Sequence, residues 1–322
     1  MNLWFQKKAS DIKSENAPNI LLQPFNHQLW KLIGLVLNDS LQNETFVKKN
    51  KFMTFTRRFG RNTGALIGFW IIILLIAGAL IIPLFSMDPR QLDPNNRFLS
   101  FFQQGHILGT DDKGRDIWSN LWNGLRFSLG IAASAAIIDV LIGTTLGIIM
   151  GHFEMADKIL QFIIKVISNI PLIIVMILIT IILSPSFWVL VGSMVVVGWI
   201  GMAQQIRAQI KRAKNFEWVT ASKVLGTPSY KILINYIPVV IPMLITQLVF
   251  TIPGAILAET SLAFIGLSLP NTPTLGNLIS SGSGLLLLYP RYIIIPSFVL
   301  VLLVTSIQLM GNGVQNAVER GR

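Results

Sequence analysis

The chain has 322 residues, of which 52% are hydrophobic and only 13% charged, and its formal net charge is +11. A soluble domain normally carries about 25% charged residues, so this shortage indicates a protein that lies in a lipid bilayer. The absence of cysteine excludes disulfides, thiolate metal sites and a catalytic thiol. The basic residues cluster between apolar runs rather than on one soluble domain, which argues against nucleic-acid binding.

The first 64 residues are too polar to span a membrane. They show no signal peptide, so we expect the membrane segments themselves to direct insertion. Residues 20–36 are apolar in patches but carry His27 and Lys31, which is typical of a helix lying in the bilayer interface. A soluble extension packed on the cytoplasmic face is the alternative. We therefore predict a cytoplasmic or interfacial segment over residues 1–64 and a transmembrane domain over residues 65–322.

Six stretches have the roughly 20 apolar residues that a membrane-spanning helix needs, and helices pair their backbone groups internally in lipid. They are residues 65–85, 127–150, 159–183, 187–203, 239–267 and 292–310. Lysine and arginine are abundant before the first span and between the fourth and fifth, whereas the loop after the first span mixes acids with bases. Since positive loops stay in the cytoplasm, this pattern predicts six transmembrane helices with both termini cytoplasmic.

The glycine-rich segment over residues 108–116 follows the first predicted span. It lacks the Gly-Lys-Ser/Thr ending of a phosphate-binding loop, and no Gly-Lys pair occurs anywhere in the chain. We interpret the segment as a turn framework that leads into an amphipathic helix and needs no ligand. A metal site at Asp111, Asp112 and Asp116 is the alternative.

Three ionisable residues fall inside predicted spans: Asp139, Lys165 and Glu259. Such residues are costly in lipid and are functional candidates by default. Asp139 and Lys165 lie on consecutive predicted helices and are able to pair, and Glu259 lies among small residues that let helices approach closely. We favour buried hydrogen-bonding structure for all three. A proton relay, typical of a secondary transporter, is the alternative.

The predicted cytoplasmic loop over residues 204–238 carries the signals of a short capped helix. Asn215 suits the N-cap, and Gly226 fits the left-handed position after the last turn. Trp218, Ala221 and Leu225 fall on one face. A helix of about ten residues is marginal in water on its own, so we expect it to dock on a partner.

Several stretches carry a family resemblance, in order from about Arg58 to the C terminus. In the loop helix, Ala221 and Gly226 match a Glu-Ala-Ala…Gly signature, although Thr220 and Ser222 depart from it. Residues 108–116, 259–266 and 310–317 are similar to further stretches of the same family. The chain thus resembles the permeases of ATP-binding-cassette (ABC) importers, specifically the C-type subunit of the oligopeptide/dipeptide (nickel) family.

The resemblance implies an all-α membrane protein with the type I ABC importer permease fold and a cytoplasmic coupling helix between transmembrane helices 4 and 5. It implies a non-catalytic permease subunit of an ATP-driven importer of di- or oligopeptides in the bacterial inner membrane. The same machinery importing nickel or another small solute is one alternative, and a secondary transporter or a membrane scaffold is another.

The implied partners are a homologous second permease in a heterodimer, two ATP-binding subunits, an extracellular substrate-binding protein and membrane lipid. ATP and magnesium would be bound by the partner ATPase subunits, and we expect no cofactor, metal ion or catalytic residue in this chain.

Two sets of site residues follow from the resemblance. The residues expected to couple to the ATPase are Phe216, Trp218, Val219, Thr220, Ala221, Ser222, Leu225 and Gly226. The residues expected to form the extracellular loop motif are Gly109, Thr110, Asp111, Gly114, Arg115 and Asp116.

Overall fold

The computed structural model describes residues 51–319, and the interfacial helix predicted over residues 20–36 lies outside the described residues. Within residues 51–319 the chain forms ten helices and no strand, which confirms the predicted all-α fold. The helices are α1 (Lys51–Phe59), α2 (Thr63–Phe85), α3 (Ile117–His152), α4 (Glu154–Ile167), α5 (Leu172–Leu183), α6 (Phe187–Ala213), α7 (Glu217–Val224), α8 (Ser229–Phe264), α9 (Leu275–Ser283) and α10 (Arg291–Glu319).

Five helices of the described region, α2, α3, α6, α8 and α10, are long and apolar enough to cross a bilayer. Helices α4 and α5 pass the same test only as a pair, and they are bent by 81° at the short break between them. The single helix predicted over residues 159–183 is therefore wrong. Pro171 explains the break, because it has no backbone N–H and occupies the N-cap of α5.

Two predicted spans are parts of longer helices. Helix α3 begins at Ile117, so the amphipathic stretch after the glycine-rich loop and the span over residues 127–150 form one helix of 36 residues. Helix α6 continues through Ala213, so the first ten residues of the predicted loop over 204–238 are helical. The connection to α8 then contains little more than α7.

Helices α3 and α6 pack along a stripe of glycines. Gly143, Gly147 and Gly151 recur every four residues and so share one face of α3. A Cβ atom at Gly147 would lie 2.7 Å from the Cβ of Ile206, and one at Gly143 would lie 2.6 Å from the Cβ of Met202. Only a hydrogen atom fits there, so the two backbones approach closely, as small-residue motifs allow between membrane helices.

The centre of the bundle is an apolar cluster to which α2, α3, α6, α8 and α10 each contribute. Its buried side chains include Leu75, Leu125, Leu190, Ile256 and Leu303. The opposite faces remain apolar although they are exposed: Leu74 and Ile81 of α2 are 65% and 55% exposed. Helices that are apolar on every side are expected where lipid is the solvent.

Candidate functional site

The predicted coupling element is α7, and it ends as the sequence predicts. Gly226 adopts a φ of +71°, a left-handed conformation that is unfavourable for a residue with a β-carbon. Its N–H donates to the carbonyl of Lys223 at 3.0 Å, and the N–H of Thr227 donates to the carbonyl of Ser222 at 2.9 Å. These two bonds form a Schellman motif that stops the helix sharply.

The start of α7 differs from the prediction. Phe216, not Asn215, occupies the N-cap, and no side chain accepts a hydrogen bond there. The N–H of Asn215 donates to the carbonyl of Arg212 at 3.2 Å, and that of Phe216 donates to the carbonyl of Ala213 at 3.0 Å. Both residues therefore belong to the turn that closes α6, and α7 has eight residues.

The inner face of α7 is fixed to the bundle. Val219 is fully buried in a second apolar cluster, where it joins Tyr236 of α8 and residues of α6. The ring of Trp218 meets the ring of Tyr236 edge to face, with the centroids 5.6 Å apart. The hydroxyl of Tyr236 lies 3.3 Å from Nδ1 of His152, the last residue of α3. The helix thus contacts α6 and α8 directly and reaches α3 through one tyrosine.

The outer face of α7 is apolar at its C-terminal end. Val224 and Leu225 are 83% and 82% exposed, and Phe216 is 43% exposed at the other end. Thr220 and Ala221 are also exposed. The predicted shared face is wrong in one respect, because Trp218 packs inward on Tyr236 while Leu225 points away from the bundle.

Ser222 lies between these two faces. It is half-buried, and its hydroxyl donates to the carbonyl of Trp218 at 2.7 Å. This bond satisfies the hydroxyl within the helix, so the small side chain leaves space beside Ala221 rather than an unpaired polar group.

An ion cluster that the sequence reasoning missed ties α4 to α6 beside this site. Asp157 is buried and bonds Arg207 through both carboxylate oxygens, with Oδ2 2.9 Å from Nη2 of Arg207. The same Oδ2 lies 2.6 Å from Nζ of Lys211. Arg207 and Lys211 are four residues apart, so they present two positive charges on one face of α6. That spacing could have prompted a search for an acidic partner of these two basic residues.

Glu259, predicted as a buried polar residue, joins three helices. Its side chain is buried in α8, and Oε2 accepts a hydrogen bond from the hydroxyl of Ser128 in α3 at 3.0 Å. The same hydroxyl accepts a hydrogen bond from the backbone N–H of Leu275, the first residue of α9, at 3.0 Å. The carboxyl group therefore has a structural partner within the bundle.

Asp139 and Lys165 do not form the predicted pair. Asp139 is buried on α3, where its carboxyl group lies directly against Gly198 of α6, so that a β-carbon at Gly198 would overlap it. Lys165 is exposed on α4, so buried structure is the wrong interpretation for this residue. Asp139 lies against α6, whereas Lys165 lies on an exposed side of α4.

The loop motif between α2 and α3 is a self-capped turn. Oδ1 of Asp111 accepts hydrogen bonds from the N–H groups of Lys113 and Arg115, each at 2.8 Å, and Oδ2 pairs with Nε of Arg115 at 2.7 Å. Gly114 has a φ of +77° and lies so close to the carbonyl of Asp93 that no β-carbon fits. The local backbone thus requires the glycine, as the turn interpretation predicts.

The remaining residues of the motif attach the loop to α3 and α10. Asp116 caps α3 by accepting a hydrogen bond from the N–H of Ser119 at 2.7 Å, and its other oxygen lies 2.9 Å from Nδ1 of His106. The carbonyl of Thr110, beside Gly109, accepts a hydrogen bond from the hydroxyl of Tyr292 at 2.7 Å. Within residues 51–319 no group of three acidic, histidine or cysteine side chains is placed to hold a metal ion.

A bundle of apolar helices with a short capped helix at one end defines a multi-pass membrane protein whose spans are packed against a short, partly exposed helix. Two family models match the chain. Residues 143–322 match the model described as binding-protein-dependent transport system inner membrane component, and residues 52–103 match the N-terminal TM domain of oligopeptide transport permease C.

Individual relatives extend the match over nearly the whole chain. The dipeptide transport system permease protein DppC of Bacillus subtilis is 30% identical over 92% of this chain and 95% of its own length. The oligopeptide transport system permease proteins AmiD of Streptococcus pneumoniae and OppC of Bacillus subtilis are 34% and 31% identical. These two matches cover 84% and 81% of this chain, and 88% and 87% of the respective relative.

The chain belongs to the family of inner membrane components of binding-protein-dependent transport systems. This confirms the predicted ABC importer permease fold, the inner-membrane location and the assignment as a non-catalytic transport subunit. In general, such a subunit works with a partner permease, an ATPase and a binding protein.

Proposed function

We propose that this chain is one of two homologous transmembrane subunits of an ATP-driven importer of short peptides. The names of its relatives support this cargo, since they are dipeptide and oligopeptide transport permeases. In this complex, a second permease completes the translocation path, two ATP-binding subunits hold ATP and magnesium, and a separate protein delivers the peptide from outside.

The same proposal gives the chain a direction in the membrane. Helix α7 and both termini face the cytoplasm, and the loop between α2 and α3 faces outward. The distribution of basic residues supports this orientation, because Lys223 lies in α7 and further bases flank it, namely Lys211, Arg212, Lys214 and Lys231.

The exposed apolar end of α7 carries the proposal. Val224 and Leu225 are more than four-fifths exposed, although Val219 on the same short helix is fully buried. A partner that covers these two adjacent apolar side chains removes them from water. Each fully buried side chain then contributes about 1.5–3 kcal/mol to the binding free energy. We therefore assign this end of α7 to the groove of an ATPase subunit.

The contacts on the buried face of α7 carry its displacement to the membrane-spanning helices. When the ATPase subunits close on ATP, they displace α7, which cannot move freely because Val219 and Trp218 are packed on α6 and α8. The displacement passes to α3 through Tyr236 and His152, and to α4 through the Asp157 cluster. Close packing transmits such a shift instead of absorbing it.

The test is peptide-stimulated ATP hydrolysis by the reconstituted complex carrying Leu225→Asp or Ala221→Glu. A charge in the covered interface should reduce stimulated hydrolysis at least tenfold, because burying an unpaired charge costs several kcal/mol. Leu225→Met is the matched control, since it conserves volume and apolar character.

Crosslinking from a cysteine at Ser222 to the ATPase should fall together with hydrolysis in both charged variants. Both changes lie outside the spans, so amounts of inserted protein should stay near wild type. Full stimulated hydrolysis with an undiminished crosslink in Leu225→Asp and Ala221→Glu would show that α7 is only a connector.

A further inference from the structure

A polar cavity of about 370 Å³ opens between α6, α8 and α10. It lies on the side of the bundle where α6 leads into α7, and its volume is within the range of small-molecule sites, about 300–1,000 Å³. None of the described residues that line it is charged. Its polar lining consists of Gln205, Gln209, Thr246, Gln247 and Gln315. We call this feature the glutamine cavity.

Three of the glutamines have amide groups that are open to the cavity. Gln205 is exposed, and Gln209 and Gln247 are half-buried. Within the described part of the chain, their side-chain amides have no side-chain partner, in contrast to Gln161 and Gln204, which bond each other at 2.9 and 3.2 Å. An amide that faces hydrocarbon without a partner is costly, so this face requires water, a ligand or another protein.

Helix α8 has an apolar face that suits lipid, and this face is separate from the one that lines the cavity. Ile234, Ile237, Ile241 and Ile245 form an apolar stripe at helical spacing, and each is between 43% and 58% exposed. Thr246 and Gln247 lie on a different face of the same helix and line the cavity. One helix therefore carries a face for hydrocarbon and a separate face that supplies hydrogen-bond donors and acceptors.

We propose that the glutamine cavity is one wall of the peptide path and binds the main chain of the transported peptide. This inference rests on the proposed import of peptides. A glutamine amide offers donors and an acceptor, and each peptide unit offers one of each, so the two match regardless of the peptide's side chains. A wall without charge favours neither acidic nor basic peptides, and the partner permease supplies the facing wall.

The test uses the absence of native cysteine in the chain. Gln247→Cys is assembled with cysteine-free partner subunits and modified with either a sulfonate or a trimethylammonium thiosulfonate reagent. Uptake of Ala-Lys-Ala is then compared with uptake of Ala-Glu-Ala. Unit charges about 4 Å apart in water change each binding constant about fivefold, in opposite directions for the two peptides. A negative group should therefore raise the lysine-to-glutamate uptake ratio about 25-fold, and a positive group should lower it about 25-fold.

Gln308→Cys is the matched control, because Gln308 is an exposed glutamine of α10 that does not line the cavity. Its modification should leave the ratio unchanged. If Gln247→Cys does not assemble, Gln205→Cys on α6 tests the same wall from a different helix.

Two outcomes would overturn the proposal while peptide import itself remains intact. One is complete modification of the cavity cysteine with no change in the uptake ratio. The other is a cysteine that neither reagent reaches, with or without ATP, which would mean that lipid or protein covers this face. Failure of the unmodified complex to import any peptide would instead refute the proposed function.

Discussion

Ser128 joins three helices through one hydroxyl group. It donates to Glu259 of α8 and accepts from the backbone N–H of Leu275 at the start of α9, each at 3.0 Å. Both partners are buried, so neither finds water if the hydroxyl is removed. A buried donor or acceptor without a partner costs about 1–3 kcal/mol.

Ser128→Ala should therefore destabilise the protein by about 1–3 kcal/mol, since the buried N–H of Leu275 is left unpaired and Glu259 keeps only its bond to Thr274. The control is Ser261→Ala, which removes an exposed hydroxyl that bonds only the carbonyl of Leu257 on its own helix. Thermal unfolding in detergent should show a large decrease in midpoint for the first variant and almost none for the second. Equal midpoints for the two variants would show that Ser128 does not join the helices.

Some features of single residues could be predicted from the sequence, and others could not. The left-handed Gly226 was predictable because only glycine readily takes that conformation at the end of a helix. The partner of Arg207 was not, because Asp157 lies 50 positions away and is brought near only by the packing of α4 on α6. The separation of Asp139 and Lys165 could not be derived for the same reason.

At the level of elements, the apolar runs predicted most of the bundle because hydrocarbon demands long uncharged helices. The exception is the bent pair of α4 and α5, where the apolar run continues past Pro171 although the helix does not. The end of α6 and the start of α7 were also misplaced, because backbone hydrogen bonds of Asn215 and Phe216 close α6 before α7 begins. The glutamine cavity was missed entirely, since its lining is spread over three helices.

The contact between α3 and α6 gives an element-level prediction. Gly147→Ala should destabilise the protein by about 1–3 kcal/mol, because the new methyl group would lie 2.7 Å from the Cβ of Ile206. Gly192→Ala on α6 is the control, since no atom lies within 4 Å of its added Cβ and alanine is the better helix former.

Urea unfolding in mild detergent, or the fraction that remains monodisperse on heating, measures the difference between these two variants. Gly192→Ala should be at least as stable as the wild type. A Gly147→Ala protein of equal stability would show that α3 and α6 do not need the close approach described here.

For the whole molecule, the proposed orientation predicts which single cysteines an impermeant reagent reaches from outside intact cells. Cysteine at Asn95, an exposed position in the loop between α2 and α3, should react, and cysteine at Ser222 in α7 should not. In cells that lack the ATPase subunits, both should react after the membrane is permeabilised, which confirms that each thiol is accessible. Labelling of position 222 in sealed cells would reverse the proposed topology.

In the proposed complex, this chain works in an importer driven by ATP. The most direct test of ATP-driven import is uptake of a labelled tripeptide by proteoliposomes that contain the complete complex and the binding protein. We expect uptake that requires hydrolysable ATP, persists when an uncoupler removes the proton gradient, and is lost with Leu225→Asp but not with Leu225→Met. Uptake that proceeds without ATP and stops on addition of the uncoupler would refute ATP-driven import and identify a secondary transporter.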